Sequence, residues 1–438
     1  MVLGKLRFAV VGTGHIAKQH VQALISCGQD LVGVCNRHPE KAMEFMQNFS
    51  GYEEVAPAVE GETVFSDLGQ MLDTVKPDVL YVTTPHLSHV DLACQAVRRG
   101  IHCIIEKPLD ISLAKAQYLK EEAARNHVLV SVIAQSRFMR PCARIINAIA
   151  DGKLGQPSFG QVSVLAWRDE DYYRSNAWRG TWAAEGGGVL VNQSVHELDL
   201  LCAFLGEVDQ VYGQWRNINH PYIEVDDTAM AVVTFKSGAI ANIVVSNSVN
   251  PAQDAYVHIT GSNGHTVGIR THQGAEAQAG IRPSHYRPVN DVFTLMSEEQ
   301  LAEYTKSDYA EISEESWSYH FFAEQVKEMV RAIEHQRNGM QVHLSNDINS
   351  AMGCMTIFNG IYLSQKLGRP VTIDEILSDS MEQLVNPSTP APAEPQAQAP
   401  VASAPADAPA AVAPDAVAAA EAAPAAAAPA TAPSAPSV

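Results

Sequence analysis

The first 135 residues switch repeatedly between unbroken apolar runs and helical periodicity. Residues 6–11 (LRFAVV) form an apolar run of strand length. Ile16, His20, Ala23 and Leu24 then recur at helical spacing, and residues 31–35 (LVGVC) make a second run. Further runs lie at 79–83 (VLYVT), 102–105 (HCII) and 128–134 (VLVSVIA), separated by helical stretches such as 90–99 and 113–126. Strands that are apolar nearly throughout, alternating with helices, predict a parallel, doubly wound sheet covered on both faces.

The first strand ends in Gly12-Thr13-Gly14-His15-Ile16-Ala17, a G-x-G-x-x-A followed directly by a helical pattern. This context suits a dinucleotide site. Gly12 allows a tight turn, Gly14 lets the backbone approach a pyrophosphate, and Ala17 permits close helix–strand packing. The helix N-terminus then offers N–H groups to the phosphates. At the end of the second strand, where an acid would hold the ribose of NAD, the chain has Asn36 and Arg37. A carboxylate there would repel a 2′-phosphate, whereas Asn-Arg tolerates or binds one. NAD(H) and NADP(H) both remain open, with NADP(H) slightly favoured.

Composition changes the picture at the C-terminus. Residues 386–438 contain 24 Ala and 12 Pro among 53 residues, with no Lys, Arg, aromatic, Leu, Ile or Met. Such a segment buries too little apolar surface to offset its ordering entropy, and a disordered tail is expected. The formal net charge is −19, with no basic stripe, which argues against nucleic-acid binding. No apolar run reaches the about 18 residues of a membrane span. The 7 cysteines form no C-x-x-C pair, as expected of reduced, mostly buried thiols in a cytoplasmic protein. Lys5 and Arg7 ahead of an apolar run imitate a secretion signal, but no small-residue cleavage site follows.

Candidate chemistry lies at the strand ends. Thr84-Pro85 follows the run at 79–83, Glu106-Lys107-Pro108 follows the run at 102–105, and Gln135 follows the run at 128–134. A lysine at the nicotinamide edge can polarise a substrate hydroxyl. Some 80 residues later, Gly186-Gly187-Gly188 precedes a helical pattern bearing Asn192, His196 and Asp199. Spacings of four and three put these on one helical face, where a carboxylate can tune the imidazole as an acid/base group. His15, His20, His86 and His89 lack metal-ligand spacing with acids or thiols, so no metal is expected.

Together these motifs resemble the Gfo/Idh/MocA oxidoreductases over about residues 5–375. The residues that carry the resemblance are the GTGHIA turn, Thr84-Pro85 with His89, Glu106-Lys107-Pro108, Gln135 and Arg137, Trp178-Arg179-Gly180-Thr181-Trp182, the glycine run with Asn192, His196 and Asp199, and Val225-Asp226-Asp227-Thr228-Ala229. The resemblance implies a Rossmann domain over 1–137. A second α/β domain over 138–380 would carry a large, mostly antiparallel, open-faced sheet that pairs copies into dimers or tetramers. Strand-like segments at 159–166, 208–216, 230–235, 239–245 and 255–260 suit that sheet, and helices at 321–335 and 349–366 would return to the first domain. Lys107 and His196 become the catalytic pair, with a cis Lys107-Pro108 bond. The cofactor would be held by Gly12, Thr13, Gly14, His15, Ile16, Asn36, Arg37, Thr84, Pro85, His89, Glu106, Lys107 and Gln135.

The implied reaction is hydride transfer between nicotinamide and a ring hydroxyl of a sugar, inositol or nucleotide-sugar. His196 would act as base, Lys107 would stabilise the oxyanion, and Asp199 would hold the histidine tautomer. Many sugar and inositol dehydrogenases of the family have Asp where this chain has Asn192, which can orient but not take a proton. The Asn-Gln version with W-R-G-T-W resembles members acting on nucleotide-linked amino sugars, such as UDP-N-acetylglucosamine 3-dehydrogenases. Arg137, Arg168, Tyr172, Tyr173, Arg174, Trp178 and Arg179 are candidates for gripping sugar and phosphate. An NAD-dependent glycosidase and a non-catalytic sugar sensor are the competing readings. Residues 263–315 read as a substrate-specific insertion.

Overall fold

Six short strands build the first sheet: β1 (Arg7–Val11), β2 (Asp30–Cys35), β3 (Val64–Phe65), β4 (Val79–Val82), β5 (His102–Ile105) and β6 (Val130–Val132). Their order is β3-β2-β1-β4-β5-β6, and every pair is parallel. Helices α1 (His15–Ser26), α2 (Pro39–Gln47), α3 (Leu68–Val75), α4 (His89–Val97) and α5 (Leu113–Arg125) supply the crossovers. All four residues of β4 and of β5 are buried, as a sheet covered on both faces requires. The strand order reverses between β1 and β4, so a crevice opens at their carboxyl ends. The structure is a computed structural model that describes residues 4–49, 63–271, 287–313 and 315–383. The segment 386–438 lies outside the described residues, as does part of the expected insertion.

Helix α6 (Arg140–Ala150) leads into a second sheet of seven strands. These are β7 (Pro157–Leu165), β8 (Val208–Arg216), β9 (Thr228–Phe235), β10 (Ile240–Ser246), β11 (Ala255–Gly261), β12 (Thr266–Thr271) and β13 (Val371–Thr372), in the order β12-β11-β7-β10-β9-β8-β13. Only β7 and β10 pair in parallel. One face is packed: α8 (Val195–Leu205, after the short α7, Glu170–Arg174) lies so close that a Cβ at Gly160 would strike Leu201 and Leu205. On the other face, Met230 and Val232 of β9 are exposed while Ala231, Val233 and Phe235 are buried.

The helix Trp317–Arg337 returns to α1. Its Phe322, Val326, Met329, Val330 and Ile333 share a core with Phe8, Val21, Leu24 and Tyr81. The helix Ile348–Leu367 packs on β8 and α8 of the second half and on α5 of the first. It therefore serves both halves.

One expected element differs. The helix anticipated across 189–205 begins as a π-type turn over Val189–Gln193, and regular helix starts only at Val195. The buried Asp226 explains this: its carboxylate accepts Gly188 N at 2.7 Å and Leu190 N at 3.0 Å. A Cβ at Gly188 would overlap the Asp226 carbonyl oxygen, so that anchoring needs a glycine. Asn192 and His196 are consequently not related by one regular helical turn.

Candidate active site

The glycine turn after β1 forms a groove floor. Gly12 adopts φ +97°, and a Cβ there would meet the Thr83 carbonyl oxygen at 2.7 Å. Gly14 is exposed with open space above it, and it starts α1 with no side-chain cap and no acid in the first turn. Free N–H groups at a positive dipole end, with no Cβ above them, fit a pyrophosphate. Asn36 donates through Nδ2 to Thr13 Oγ1 at 2.6 Å and accepts His38 N at 2.9 Å, while Arg37 is exposed. Thr84 and Pro85 lie at the end of β4, with Thr84 Oγ1 accepting Ser88 Oγ at 2.8 Å. This groove can hold a dinucleotide.

Beyond β5, the Lys107–Pro108 bond is cis. Lys107 Nζ donates to Asn192 Oδ1 at 3.3 Å and to Asn192 O at 3.4 Å. Burial lowers the Lys107 pKa, opposed by the Glu106 and Glu185 carboxylates. His196 Nε2 lies 3.4 Å from Gln135 Nε2. Burial, and then the Lys107 charge, push its pKa down to about 3, so the imidazole is neutral at physiological pH. A neutral base, an ammonium and an amide thus converge at the carboxyl ends of β5 and β6.

Beside Asn192 lies an aromatic and cationic cluster. The Arg179 guanidinium lies 4.3 Å from the Tyr172 ring centre and 4.6 Å from that of Trp178, and Arg168 lies 5.4 Å from Tyr172. The Tyr172 hydroxyl collects donors from Arg179 (2.5 Å), Gln193 (2.6 Å) and Asn192 (3.3 Å). Trp178 packs against His86, whose pKa burial drives down to about 3.

Several anticipated residues are engaged away from Lys107, Asn192 and His196. Asp199 does not touch His196: it pairs with Arg137, accepting Nε at 2.7 Å and Nη2 at 2.8 Å. Both are buried, so neither the tautomer role for Asp199 nor substrate contact by Arg137 holds in this geometry. His89 is wholly buried between the Pro108 and Thr84 carbonyls, at 2.8 and 2.7 Å, and braces the strand ends instead of lining the groove. Glu106 is buried against His20 at 2.7 Å and accepts Lys107 N at 3.0 Å. Burial opposes its ionisation, but His20 and Lys107 prevail and lower its pKa to about 2. Tyr173 is buried, its hydroxyl accepting Asn247 Nδ2 at 3.1 Å.

Glu185 escaped the sequence reading, and Asp226 was read only as part of a strand start. Glu185 accepts Asn192 Nδ2 at 2.6 Å and Gly180 N at 2.6 Å. Asp226 anchors the π-type turn and accepts the Tyr362 hydroxyl at 2.7 Å. An acid directly before a glycine run, and a doubled acid before a strand, were the available signals. Among the described residues no group of three His, Cys, Asp or Glu is arranged to hold a metal.

Comparison with known proteins agrees with this layout. Residues 6–134 match the family model for an oxidoreductase family with an NAD-binding Rossmann fold, and residues 142–267 match the Gfo/Idh/MocA C-terminal domain. The scyllo-inositol 2-dehydrogenase (NAD(+)) of Bacillus subtilis (strain 168) is 26% identical over 274 residues, covering 61% of this chain and 75% of that protein. The D-glucoside 3-dehydrogenase of Escherichia coli (strain K12) is 23% identical over 325 residues, covering 68% and 84%. The WlbA dehydrogenase of Bordetella pertussis, solved with NADH and UDP-GlcNAcA, shares the fold with a TM-score of 0.65 at 22% identity, covering 84% of this chain and 99% of that one. Both halves are matched in order, and the chain belongs to the Gfo/Idh/MocA oxidoreductases, as an NAD(P)-dependent dehydrogenase or reductase acting on CH–OH groups.

Proposed function

We propose that this chain oxidises or reduces one ring position of a sugar, inositol or nucleotide-sugar, with a UDP-linked N-acetylamino sugar, acted on at C3, as the first candidate. The observation that carries the reading is the convergence of Lys107, Asn192 and His196 beside the glycine-turn groove. When bound, the nicotinamide takes or gives the hydride. In the oxidative direction His196, held neutral, accepts the hydroxyl proton, and the Lys107 ammonium faces the developing oxyanion. Gln135 orients His196, and Asn192 orients Lys107.

The nucleotide-sugar choice rests on the Arg168–Tyr172–Arg179–Trp178 wall. Neither arginine has a carboxylate partner among the described residues, and such guanidiniums suit phosphate or carboxylate groups. The WlbA structure, solved with UDP-GlcNAcA, supports the same choice. Similarity to a glycosyl hydrolase family 109 protein of Akkermansia muciniphila, 25% identical over 191 residues, keeps redox-assisted hydrolysis as the second reading. For the cofactor, no acid stands at position 36, and the exposed Arg37 favours NADP(H) without excluding NAD(H). We further read the exposed sheet face as the contact between copies of this chain.

The test is a screen of UDP-N-acetyl sugars, free sugars and inositols with NAD+ and NADP+, following absorbance at 340 nm and product mass. Net reduced cofactor with an oxidised sugar is the expected result. Bond cleavage without net cofactor turnover would replace it with the hydrolase reading. An Arg37→Ala variant should weaken NADPH binding about tenfold and leave NADH nearly unchanged, if Arg37 meets a 2′-phosphate.

A further inference from the structure

Glu185 is 1% exposed and sits at the far end of a short hydrogen-bond chain that finishes on Lys107. Lys107 Nζ donates to Asn192 Oδ1 at 3.3 Å, and Asn192 Nδ2 donates to Glu185 Oε1 at 2.6 Å. A carboxylate only accepts, so it fixes which end of the amide faces it. The amide oxygen is thereby turned toward the ammonium. The second Glu185 oxygen accepts Gly180 N at 2.6 Å, which fixes the carboxylate in turn.

We propose that Glu185 is a positioning residue of the hydride-transfer site, acting through the Asn192 amide to hold Lys107 in place as an ammonium. The inference rests on the role given to Lys107 above. The groups around Lys107 are the carboxylates Glu106, Glu185 and Glu197, the Arg179 guanidinium, and the imidazoles His86, His89 and His196. Burial and Arg179 oppose the charge on Lys107, and the neutral imidazoles do not offset it. Glu106 favours it but is committed to His20 and to the Lys107 backbone N–H. Glu185 is the acid whose hydrogen-bond chain ends on Nζ itself. Lys107 has three N–H groups, two of which face Asn192 oxygens, leaving one for a substrate oxygen. The amide at 192 also has a physical reason. A carboxylate there would lie within hydrogen-bond distance of Glu185, and two such acids do not both ionise.

The charge on Lys107 can be read without turnover, by competitive acetic-anhydride labelling of the NADH-saturated protein across pH. Peptide mass spectrometry then gives the midpoint for each lysine. In Glu185→Gln the Lys107 midpoint should fall by about one pH unit, with exposed Lys18 unmoved as the internal reference. Placing the acid one link nearer, in Glu185→Gln with Asn192→Asp, should restore it. Should the Glu185 variants fail to fold, Asn192→Ala breaks the middle link and should also lower the midpoint. An unchanged Lys107 midpoint in a folded Glu185→Gln or Asn192→Ala protein overturns the proposal. Lys107→Met, assayed alongside, separates the two claims: full turnover by that variant would remove the catalytic role of Lys107, whatever the labelling gives.

Discussion

At the scale of single residues, the proton step of the proposed reaction depends on how burial sets one imidazole. His196 has its pKa lowered to about 3, by burial first and the nearby Lys107 charge second. An ordinary histidine titrates near about 6.5 and would lose its basic form in mildly acidic solution. A lowered pKa keeps the base available above that value, and it is lost only as pH falls through it. The kcat/KM for oxidation is therefore expected to hold without an acid limb between about pH 5 and 7. A limb centred near about 6.5 in initial-rate profiles would mean that another group, or a solvated His196, carries the proton. His196→Gln is expected to lower kcat by about 10²–10⁴-fold while fluorescence titration with NADH stays unchanged. Lys107 makes the complementary contribution: the same burial that keeps the base neutral makes an ammonium costly, and carboxylates within reach offset that cost.

At the scale of elements, doubled acids and glycines hold the substrate wall. The segment between β8 and β9 is closed by Asp227, which accepts Ile218 N, Asn219 N at 2.8 Å, Ser248 Oγ at 2.7 Å and His220 Nδ1 at 2.8 Å. The other nitrogen, His220 Nε2, faces the Arg168 carbonyl at 2.8 Å, so the pair fixes the backbone that presents Arg168. Burial works against both charges, yet their mutual bond wins: the Asp227 pKa falls and the His220 pKa rises. The Asp227 contribution is present above its unfolded pKa of about 3.9 and is lost as pH falls; the His220 contribution is present below about 6.5 and is lost as pH rises through its raised value. Asp227→Asn should cost about 3–5 kcal/mol. Its deficit in thermal midpoint should be largest between about pH 4 and 6.5, whereas a deficit independent of pH would deny the ion pair. The doubled acid was visible in the sequence as a strand start, but its division of labour was not. The glycine turn, β5 with Lys107, and most strands of both sheets were legible because local period and turn chemistry specify them. The pairing of Asp199 was not: helical spacing places it near His196, but Arg137, 62 residues earlier, supplies a full charge in a buried, bidentate geometry. Glu185 was hidden for a similar reason. Its partner lies seven residues on, across a glycine run and a π-type turn that no regular period describes.

At the scale of the whole molecule, the second sheet leaves one face to solvent, and that face carries large apolar side chains among polar ones. Phe159, Tyr212, Met230, Val232 and Ile240 are all exposed, on the adjacent strands β7, β8, β9 and β10. Phe159 pairs with Ile240 across β7–β10 and Tyr212 with Val232 across β8–β9, with Thr234 and Asn242 between the two pairs. Such clustering of exposed apolar side chains on one sheet face is less common on monomers than single scattered ones. These side chains are 42–58% exposed, so covering each gains about half of the about 1.5–3 kcal/mol of full burial, or roughly 8–15 kcal/mol for the five on each of two copies, comparable with the roughly 4–15 kcal/mol that association costs in lost freedom. A second copy offers the same side chains about a two-fold axis, which is the pairing proposed above. Met230→Lys with Val232→Lys puts two like charges near the centre of each patch, where they would meet their copies across the contact. The double variant is expected to be monomeric by native mass spectrometry while the parent is a dimer or larger. Its thermal midpoint, extrapolated to low protein concentration, should stay close to that of the parent, because both side chains are more than half exposed in the single chain and the lysine stems keep much of their remaining packing. A parent that is monomeric at micromolar concentration would assign the patch to some other contact. The residues proposed for the site, with His196 in the first turn of α8, lie away from the exposed face of this sheet, so NADH affinity of the double variant should match the parent even where the oligomer is lost.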